Sequence, residues 1–285
     1  MKLELFKTLW GHTGNLQSAI REALYAGFQG LEGAAPADPH ELAYWKDLLP
    51  ASGLAYIAEI TTAGGYVPSP HATLEEHLQS LEQQLERSLV LQPRFVTCLG
   101  GRDAWPESQS VEFFGRAMEL AAQAGVVISF ETHRSRSTFN PWTTRRLVEQ
   151  LPELKLTCDY SHWCVVCERL LDGEEDTLAV LARHAHHIHA RVGYDQGPQV
   201  PHPGAPEYAD ALDAHQRWWE GIWRSQRERG YPVTTMTPEF GPDGYLHLLP
   251  FTGAPVADLW ELNQWMATEE RRHFRLFAQG DDRVA

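Results

Sequence analysis

The chain has 285 residues, of which 43% are hydrophobic, and its formal net charge is −14. This length is enough for one large core, and no apolar run reaches the roughly 18–20 residues that a membrane helix needs. The opening MKLELFKTLW alternates apolar and charged side chains and lacks the apolar segment of a signal peptide. Nucleic acids and anionic membranes are bound by clustered Lys and Arg, which such a charge disfavours. We therefore expect a soluble, cytoplasmic protein that binds neither.

Short apolar segments alternate with longer amphipathic segments along the chain, and Gly, Pro, Asn or Asp separate them. In the first half, the pattern predicts strand 3–10, helix 15–26, strand 28–32, helix 39–49, strand 54–60, helix 74–89, strand 94–99 and helix 108–124. In the second half, it predicts strand 126–132, helix 143–150, strand 154–159, helical pieces to 184, strand 187–192, helix 208–229, strand 233–239 and helix 256–277.

Eight strand–helix units in one chain predict an α/β fold, a (β/α)8 barrel that forms a single domain over residues 1–285. A doubly wound open sheet is the alternative. Its dinucleotide-binding form would carry G-x-G-x-x-G after an early strand, but the first turn here reads WGHTGN. No fixed-period repeat or linker-like segment divides the chain, so one domain is expected.

The cysteine pattern indicates packing rather than metal or redox chemistry. Cys164 and Cys167 have C-x-x-C spacing, but no second such pair completes a zinc site, and the surrounding VVCERLL is typical of an apolar helix. Four cysteines in the chain and no signal peptide fit a reducing compartment.

Ionisable residues stand at the ends of the last four predicted strands, where a barrel of this kind places its active site. In strand order they are Glu131, Asp159, His189 and Glu239. Three converging carboxylates would repel one another without a cation. Carboxylate oxygens with one imidazole suit Mn²⁺, Mg²⁺ or Co²⁺, and Zn²⁺ is a further option. We therefore predict one divalent ion bound by these four side chains; ion pairs with nearby arginines are the alternative.

Strand alternation assigns the residues of AHHIHAR in the seventh strand to two faces, because neighbouring side chains point in opposite directions. His189 and Arg191 share one face with His187, and Ile188 lies on the other. We expect Arg191 beside the metal ligand, in contact with substrate, because an inward cation suits a hydroxyl, carboxylate or phosphate. His187 is expected to be a hydrogen-bonded core residue, and His186 to point away from the interior.

Four further residues near strand ends are candidates for substrate contact. Trp10 and Trp105 follow the first and fourth strands and would form an apolar wall, or else pack in the core. Glu59 ends the third strand and would contact substrate or pair with an arginine. His133 lies inward beside the predicted ligands.

The ordered set on strands five to eight resembles the xylose isomerase-like barrels, the superfamily of sugar isomerases and epimerases that also contains apurinic-site endonucleases. The residues that carry the resemblance are Glu131 in FETH, Asp159 and His162 in DYSH, His189 in IHAR, and Glu239 in PEFG. The opening pattern EALYAGFQGLEG, with Glu32 ending the second strand, extends the likeness over nearly the whole chain. By resemblance to ketose 3-epimerases, the predicted metal ligands map onto theirs. Glu131 and Glu239 also map onto the catalytic carboxylates, and His162 onto a substrate-contacting histidine.

The resemblance implies a divalent-metal-dependent isomerase or epimerase of a small carbohydrate, working through an enediolate with two glutamates as acid and base. One alternative is a lyase or hydrolase of a keto-sugar derivative on the same site. A second is a metal nuclease like the apurinic-site endonucleases, which the charge of −14 disfavours. A sugar-binding module without activity is a third. A homo-oligomer is compatible with the sequence.

Overall fold

The computed structural model describes residues 1–242 and 244–281 and shows a closed barrel of parallel strands surrounded by helices. The strands are β1 Lys2–Thr8, β2 Gly30–Gly33, β3 Ala55–Thr61, β4 Val96–Leu99, β5 Ile128–Glu131, β6 Leu156–Cys158, β7 Ala185–His189 and β8 Val233–Thr237. Each strand pairs in parallel with the next, and β8 pairs with β1 to close the barrel. The predicted (β/α)8 barrel is confirmed, and an open doubly wound sheet is excluded.

Helices follow the strands at the outside of the barrel. They are α1 Leu16–Tyr25, α2 Pro39–Ser52, α3 Leu74–Leu89, α4 Glu107–Gln123, α5 Pro141–Gln150, α6 Ser161–Cys167, α7 Glu175–Ala182, α8 Ala209–Glu228 and α9 Leu259–Asp281. The start of α1 is fixed by Asn15, whose side chain accepts from the Ser18 N–H. The start of α3 is fixed by a capping box between Thr73 and Glu76. None of the helices in the described ranges combines the length and apolarity needed to cross a membrane.

Several strands end earlier at the mouth of the barrel than the sequence pattern predicts. β7 ends at His189 rather than at residue 192, and β8 ends at Thr237 rather than at residue 239. The ladder between these two strands stops at the pair His189 and Thr237. Arg191 and Glu239 therefore lie in the loops beyond their strands, at the rim where barrel active sites form.

The barrel interior passes from an apolar layer to an ionisable one. Phe6, Ile57 and Phe95 pack together as a separate buried cluster. The ring of His187 lies against this cluster, with centroid distances of 6.4 Å to Phe6 and 5.3 Å to Phe95. His187 is fully buried and hydrogen bonds with Thr235 at 2.7 Å. It therefore occupies the core position that strand alternation predicts.

His186 does not follow the simple alternation. The pairing register between β6 and β7 shifts between Leu156 and Thr157, so that His186 is the extra residue of a bulge. Its ring packs edge-on against Phe95 with centroids 4.7 Å apart, and the residue is half-buried. The prediction that His186 points away from the interior is wrong, because a bulge re-aims side chains in a way that a period of two cannot anticipate.

The four cysteines are free, and three of them are buried. Burial raises the pKa of the Cys98 and Cys158 thiols to about 12. Such thiols stay protonated and unreactive near neutral pH. The three buried cysteines, Cys98, Cys158 and Cys164, therefore act as small core residues.

A buried histidine outside the candidate site makes stability depend on pH. His215 of α8 faces the Ala211 carbonyl with Nδ1 at 2.9 Å and accepts from the Gly193 N–H with Nε2 at 3.2 Å. Burial lowers its pKa from 6.5 to about 4, below its unfolded value. Its stabilising effect is therefore complete above pH 6.5 and is lost as pH falls towards 4. At pH 5 we expect the loss to be about 2 kcal/mol.

Urea unfolding at pH 7 and pH 5 measures this effect when wild type is compared with His215→Asn. Burial also lowers the pKa of His77 to about 4 and that of His186 to about 3. Both histidines are present in wild type and variant, so their pH-dependent loss of stability is the same in the two proteins. We expect the fall in unfolding free energy between the two pH values to be about 2 kcal/mol smaller in the variant. Equal falls in both proteins would contradict the assignment.

Candidate active site

Four candidate metal ligands converge at the carboxyl ends of strands β5 to β8. Glu131 ends β5, Asp159 follows β6, His189 ends β7, and Glu239 lies two residues beyond β8. One ligand atom of each lies within 4.8 Å of those of the others, and all four residues are buried. Atoms that bind one ion at about 2.0–2.4 Å stand at most about 4.8 Å apart, so the spacing suits a single divalent cation.

The orientation of His189 supports the fit of a cation. Its Nδ1 is buried and has no hydrogen-bond partner, and it lies 3.0 Å from Glu239 Oε2 and 3.7 Å from Glu131 Oε1. Its Nε2 lies 3.0 Å from Glu32 Oε1. Despite burial, the charges of Glu239, Glu32 and Glu131 raise the pKa of His189 well above its ordinary value. With a cation in place of that proton, the ring would donate its Nε2–H to Glu32 and direct its Nδ1 lone pair at the cluster, as metal-binding histidines do.

Glu32 of β2 anchors the histidines of β7 from inside the barrel. Its carboxylate, 1% exposed, lies 3.1 Å from His187 Nε2 and 3.0 Å from His189 Nε2. The hydroxyls of Thr97 and Thr237 donate to the same carboxylate. Burial alone would raise the pKa of Glu32, but His189 and His187 hold it well below its ordinary value. Glu32 is therefore an ionised, fully hydrogen-bonded group that orients a candidate metal ligand.

Arg191 points inward, as predicted, and has two roles in the geometry. Its Nη2 donates to Asp159 Oδ2 and, at 2.6 Å, to His162 Nε2. Its Nε donates to Ser161 Oγ at 3.1 Å, and its guanidinium lies 4.8 Å from the centre of the Tyr245 ring. The side chain is 1% exposed. Arg191 thus forms an ion pair with one candidate ligand and also borders the cavity beside the cluster.

His133 and His162 form a neutral pair next to Glu131. Their ring centroids are 3.9 Å apart, and both residues are buried. Burial, followed by neighbouring positive groups, lowers the pKa of both rings well below the ordinary value. His133 borders the cavity, whereas His162 reaches the site through its hydrogen bond with Arg191.

A cavity of about 50 Å³ lies directly against the cluster, and we call it the central cavity. Its lining residues are Trp10, Glu59, Tyr66, Leu99, Glu131, His133, Arg191, Glu239 and Tyr245. The sequence reasoning identified six of these nine and missed Tyr66, Leu99 and Tyr245. The two tyrosines lie in the loops after β3 and β8, so an aromatic residue in a loop that follows a strand was the signal that could have found them.

The two predicted tryptophans have different surroundings. Trp10 lines the central cavity and packs against Gly241, where an added Cβ would lie 2.0 Å from the indole ring. Trp105 is not among the residues that line the cavity. Its ring instead packs edge-on against His77 at 4.7 Å and Phe113 at 5.7 Å. Trp105 is therefore a packing residue between β4 and the outer helices, the alternative that its sequence context left open.

Arg136 holds the loop that carries Tyr66. The arginine is fully buried, and its guanidinium donates to the backbone carbonyls of Thr62 at 2.9 Å, of Tyr66 at 3.2 Å and of Gly65. A planar guanidinium can satisfy several carbonyls at once, which a lysine cannot. Arg136 thereby fixes the position of Tyr66, whose ring lies 6.2 Å from that of Trp10 on the cavity wall.

Glu59 borders the central cavity without a protein partner. Among the described residues, none donates a hydrogen bond to its carboxyl group or forms an ion pair with it. Burial, followed by the charges of Glu239, Glu32 and Glu131, raises the pKa of Glu59 to about 8. Burial likewise raises the pKa of Glu131, to about 7. The alternative in which Glu59 pairs with an arginine is therefore wrong.

Two other groups of ligand-type residues have geometries that suit a cation less well. In the group of Glu32, His187 and His189, the carboxylate is already saturated by hydrogen bonds. In the group of Glu131, His133 and His162, the single lone pair of His162 Nε2 already accepts from Arg191 Nη2 at 2.6 Å. A carboxylate such as that of Asp159 keeps further lone pairs when it accepts from the same guanidinium. The four-residue cluster is therefore the best candidate metal centre among the described residues.

Residues 20–199, more than half of the chain, match the sequence profile of the family described as xylose isomerase-like TIM barrels. The chain belongs to this family. Members of the superfamily include sugar epimerases and isomerases, so an enzyme is the expected kind of protein. No curated protein sequence matches this xylose isomerase-like barrel significantly.

Solved structures with the same barrel belong to proteins with several different activities. L-ribulose 3-epimerase is 15% identical, with a TM-score of 0.67 over 100% of this chain and 98% of its own. The probable 3-DHS dehydratase AsbF from Bacillus anthracis is 16% identical, with a TM-score of 0.60 over 94% and 99%. Endonuclease IV from Thermus thermophilus is 16% identical, with a TM-score of 0.59 over 96% and 99%. At this identity the likeness establishes the fold alone.

Proposed function

We propose that this xylose isomerase-like barrel is a divalent-metal-dependent isomerase or epimerase of a small carbohydrate. The observation that carries the proposal is that Glu131 and Glu239 border one cavity and also belong to one four-ligand cluster. Two carboxylates beside one substrate site can remove a proton and return it. A bound divalent ion, held by these two residues with Asp159 and His189, would supply Lewis-acid stabilisation of negative charge on the sugar oxygens.

Residues at different positions around the central cavity would have different roles in the reaction. One of the two glutamates removes the proton from the carbon next to the carbonyl, and the other returns a proton to the opposite face, which inverts the centre. His133 and Arg191 would hydrogen bond with sugar oxygens from the cavity wall. Trp10, Tyr66 and Tyr245 would shield the site from water and pack against the sugar.

Deuterium exchange tests the proposal whichever product the reaction forms. The Mn²⁺-loaded protein is incubated in D₂O with D-fructose, D-allulose or D-tagatose, and NMR detects deuterium at the carbon next to the carbonyl. We expect exchange with at least one ketose, with its loss after chelation and its return with Mn²⁺. Exchange that survives complete removal of metal would contradict the proposal, and so would no exchange with any ketose.

Simple measurements distinguish two alternative activities, a lyase and a nuclease, from the proposed one. A lyase acting on a keto-sugar derivative would use the same glutamates but would release water or another leaving group, which the product spectrum reveals. A nuclease would need more than one ion, and the group of Glu131, His133 and His162 is the observation that favours it. The charge of −14 disfavours a nucleic acid substrate. The Nε2 of His162 in that group already accepts from Arg191, which disfavours a second ion there.

A further inference from the structure

The central cavity is too small to hold a whole substrate. Its volume of about 50 Å³ has room for only a few water molecules. Ligand sites usually measure roughly 300–1,000 Å³. A second cavity of about 330 Å³, which we call the side cavity, opens next to it and shares two lining residues, Trp10 and Glu59. Of these two adjoining cavities, the side cavity alone reaches the size of a small-molecule site.

The side cavity lies on the catalytic face of the barrel. Its lining comes from the loops and strand ends of β1, β2 and β3, from the start of α1 and from the first turns of α2. Trp10 separates it from the central cavity, and Trp45 forms part of its far wall. Trp45 is 8% exposed and is braced edge-on by Tyr56, whose hydroxyl donates to the Gly33 carbonyl. Two indoles in fixed positions provide flat apolar walls for a ring.

The polar groups of the side cavity select the chemistry of its ligand. Glu41 and Glu59 present carboxyl groups that no described side chain pairs with. His12 is already engaged by Ser18 at 2.9 Å and by Glu22 at 3.4 Å. Of the described residues that line this cavity, none is Lys or Arg. The Glu41 carboxylate repels phosphate and carboxylate groups, whereas hydroxyl groups of a ligand can hydrogen bond with the carboxyl groups of both Glu41 and Glu59.

Glu59 lines both cavities, and its carboxyl group is available to a ligand. Glu59 is partly exposed to the cavities, and none of the described residues donates a hydrogen bond to its carboxyl group, so a ligand hydroxyl can do so. Glu59 lies on the wall of both cavities, so a ligand that extends from one into the other would pass its carboxyl group.

We propose that the side cavity is a second subsite, which binds an uncharged, hydroxyl-rich ring attached to the reacting sugar. The inference rests on the proposed function and specifies its substrate class: a two-ring ketose or comparable glycoside rather than a phosphorylated monosaccharide. The reacting carbonyl end of the sugar enters the central cavity beside the four-ligand cluster, and the attached ring packs between Trp10 and Trp45 in the side cavity.

Calorimetric titration of the Mn²⁺-loaded protein compares three probes. They are D-fructose, lactulose, which adds a second hexose to fructose, and D-fructose 6-phosphate, which adds an anion instead. We expect lactulose to bind about tenfold more tightly than D-fructose because its second ring packs on indole surface. The phosphate ester should bind no more tightly than D-fructose.

A blocking variant and its matched control locate the effect. Ala34 is an exposed lining residue of the side cavity, and Ala37 is also exposed but lies outside it. We expect Ala34→Trp to remove the preference for lactulose while keeping D-fructose and Mn²⁺ binding, and Ala37→Trp to retain the preference.

Several results would overturn the subsite. They are equal binding of lactulose and D-fructose by wild type, preference for the phosphate ester, or an unchanged preference in Ala34→Trp. Failure of the proposed function is distinguishable, because it appears as sugar binding without metal-dependent deuterium exchange, or as no binding of any probe.

Discussion

Replacing Glu131 or Glu239 by glutamine should lower kcat by about a thousandfold or more on any ketose that the wild-type protein turns over. Each glutamate borders the central cavity and belongs to the four-ligand cluster, so glutamine removes a proton-transfer group and a charged ligand together. Measurement at saturating Mn²⁺ separates the two losses, because added metal restores occupancy but cannot restore a base. Deuterium exchange and net turnover should fall together in both variants.

The matched control is Glu119→Gln. Glu119 is an exposed glutamate of α4 on the outside of the barrel, so the same chemical change should leave kcat within about twofold of wild type, as is usual at surface sites. A Glu131→Gln or Glu239→Gln protein that keeps more than a tenth of the wild-type kcat would contradict the two-carboxylate mechanism.

Replacing Glu32 by alanine should cost about 3–5 kcal/mol of unfolding free energy, the usual result of removing one partner from a buried charged network. The change leaves the rings of His187 and His189 and the hydroxyls of Thr97 and Thr237 without their shared acceptor. Glu32→Gln keeps the shape and one acceptor oxygen, so we expect a smaller loss of about 1–3 kcal/mol. It should also weaken Mn²⁺ binding about 10–100-fold, because His189 loses its orienting carboxylate.

Urea unfolding and Mn²⁺ titration measure both effects, and Glu4→Ala is the control. Glu4 pairs with Arg94 at the surface, where such pairs contribute at most about 1 kcal/mol. If Glu32→Ala unfolds within about 1 kcal/mol of wild type, or if Glu32→Gln binds Mn²⁺ as tightly as wild type, Glu32 does not orient the metal ligand.

The barrel and the convergence of the strand-end residues were predictable because both follow from local periodicity. Alternating apolar and amphipathic segments define the strand–helix units, and a period of two sends Glu131 and His189 to the same interior. The end of a parallel strand in a barrel then defines the rim. Such periodicity places residues on a face, which is enough to predict that Glu131, Asp159, His189 and Glu239 meet at the rim.

The rest of the site depends on contacts between distant segments, which local patterns do not encode. The bulge that turns His186 inward depends on the register between β6 and β7. Trp10 and Trp105 both follow strands, yet only Trp10 packs against Gly241 and lines the central cavity. The role of Glu32 became visible only through its contact with His189, which is 157 positions away in the sequence.

Metal stoichiometry tests the central claim most directly. Wild type and Glu239→Gln are stripped with chelator, titrated with Mn²⁺ and analysed by mass spectrometry for bound metal per chain. One divalent ion per wild-type chain, with affinity reduced at least about tenfold in Glu239→Gln and unchanged in Glu119→Gln, is the predicted result. No bound ion, three ions per chain, or equal affinity in wild type and Glu239→Gln would contradict a single metal centre built from Glu131, Asp159, His189 and Glu239.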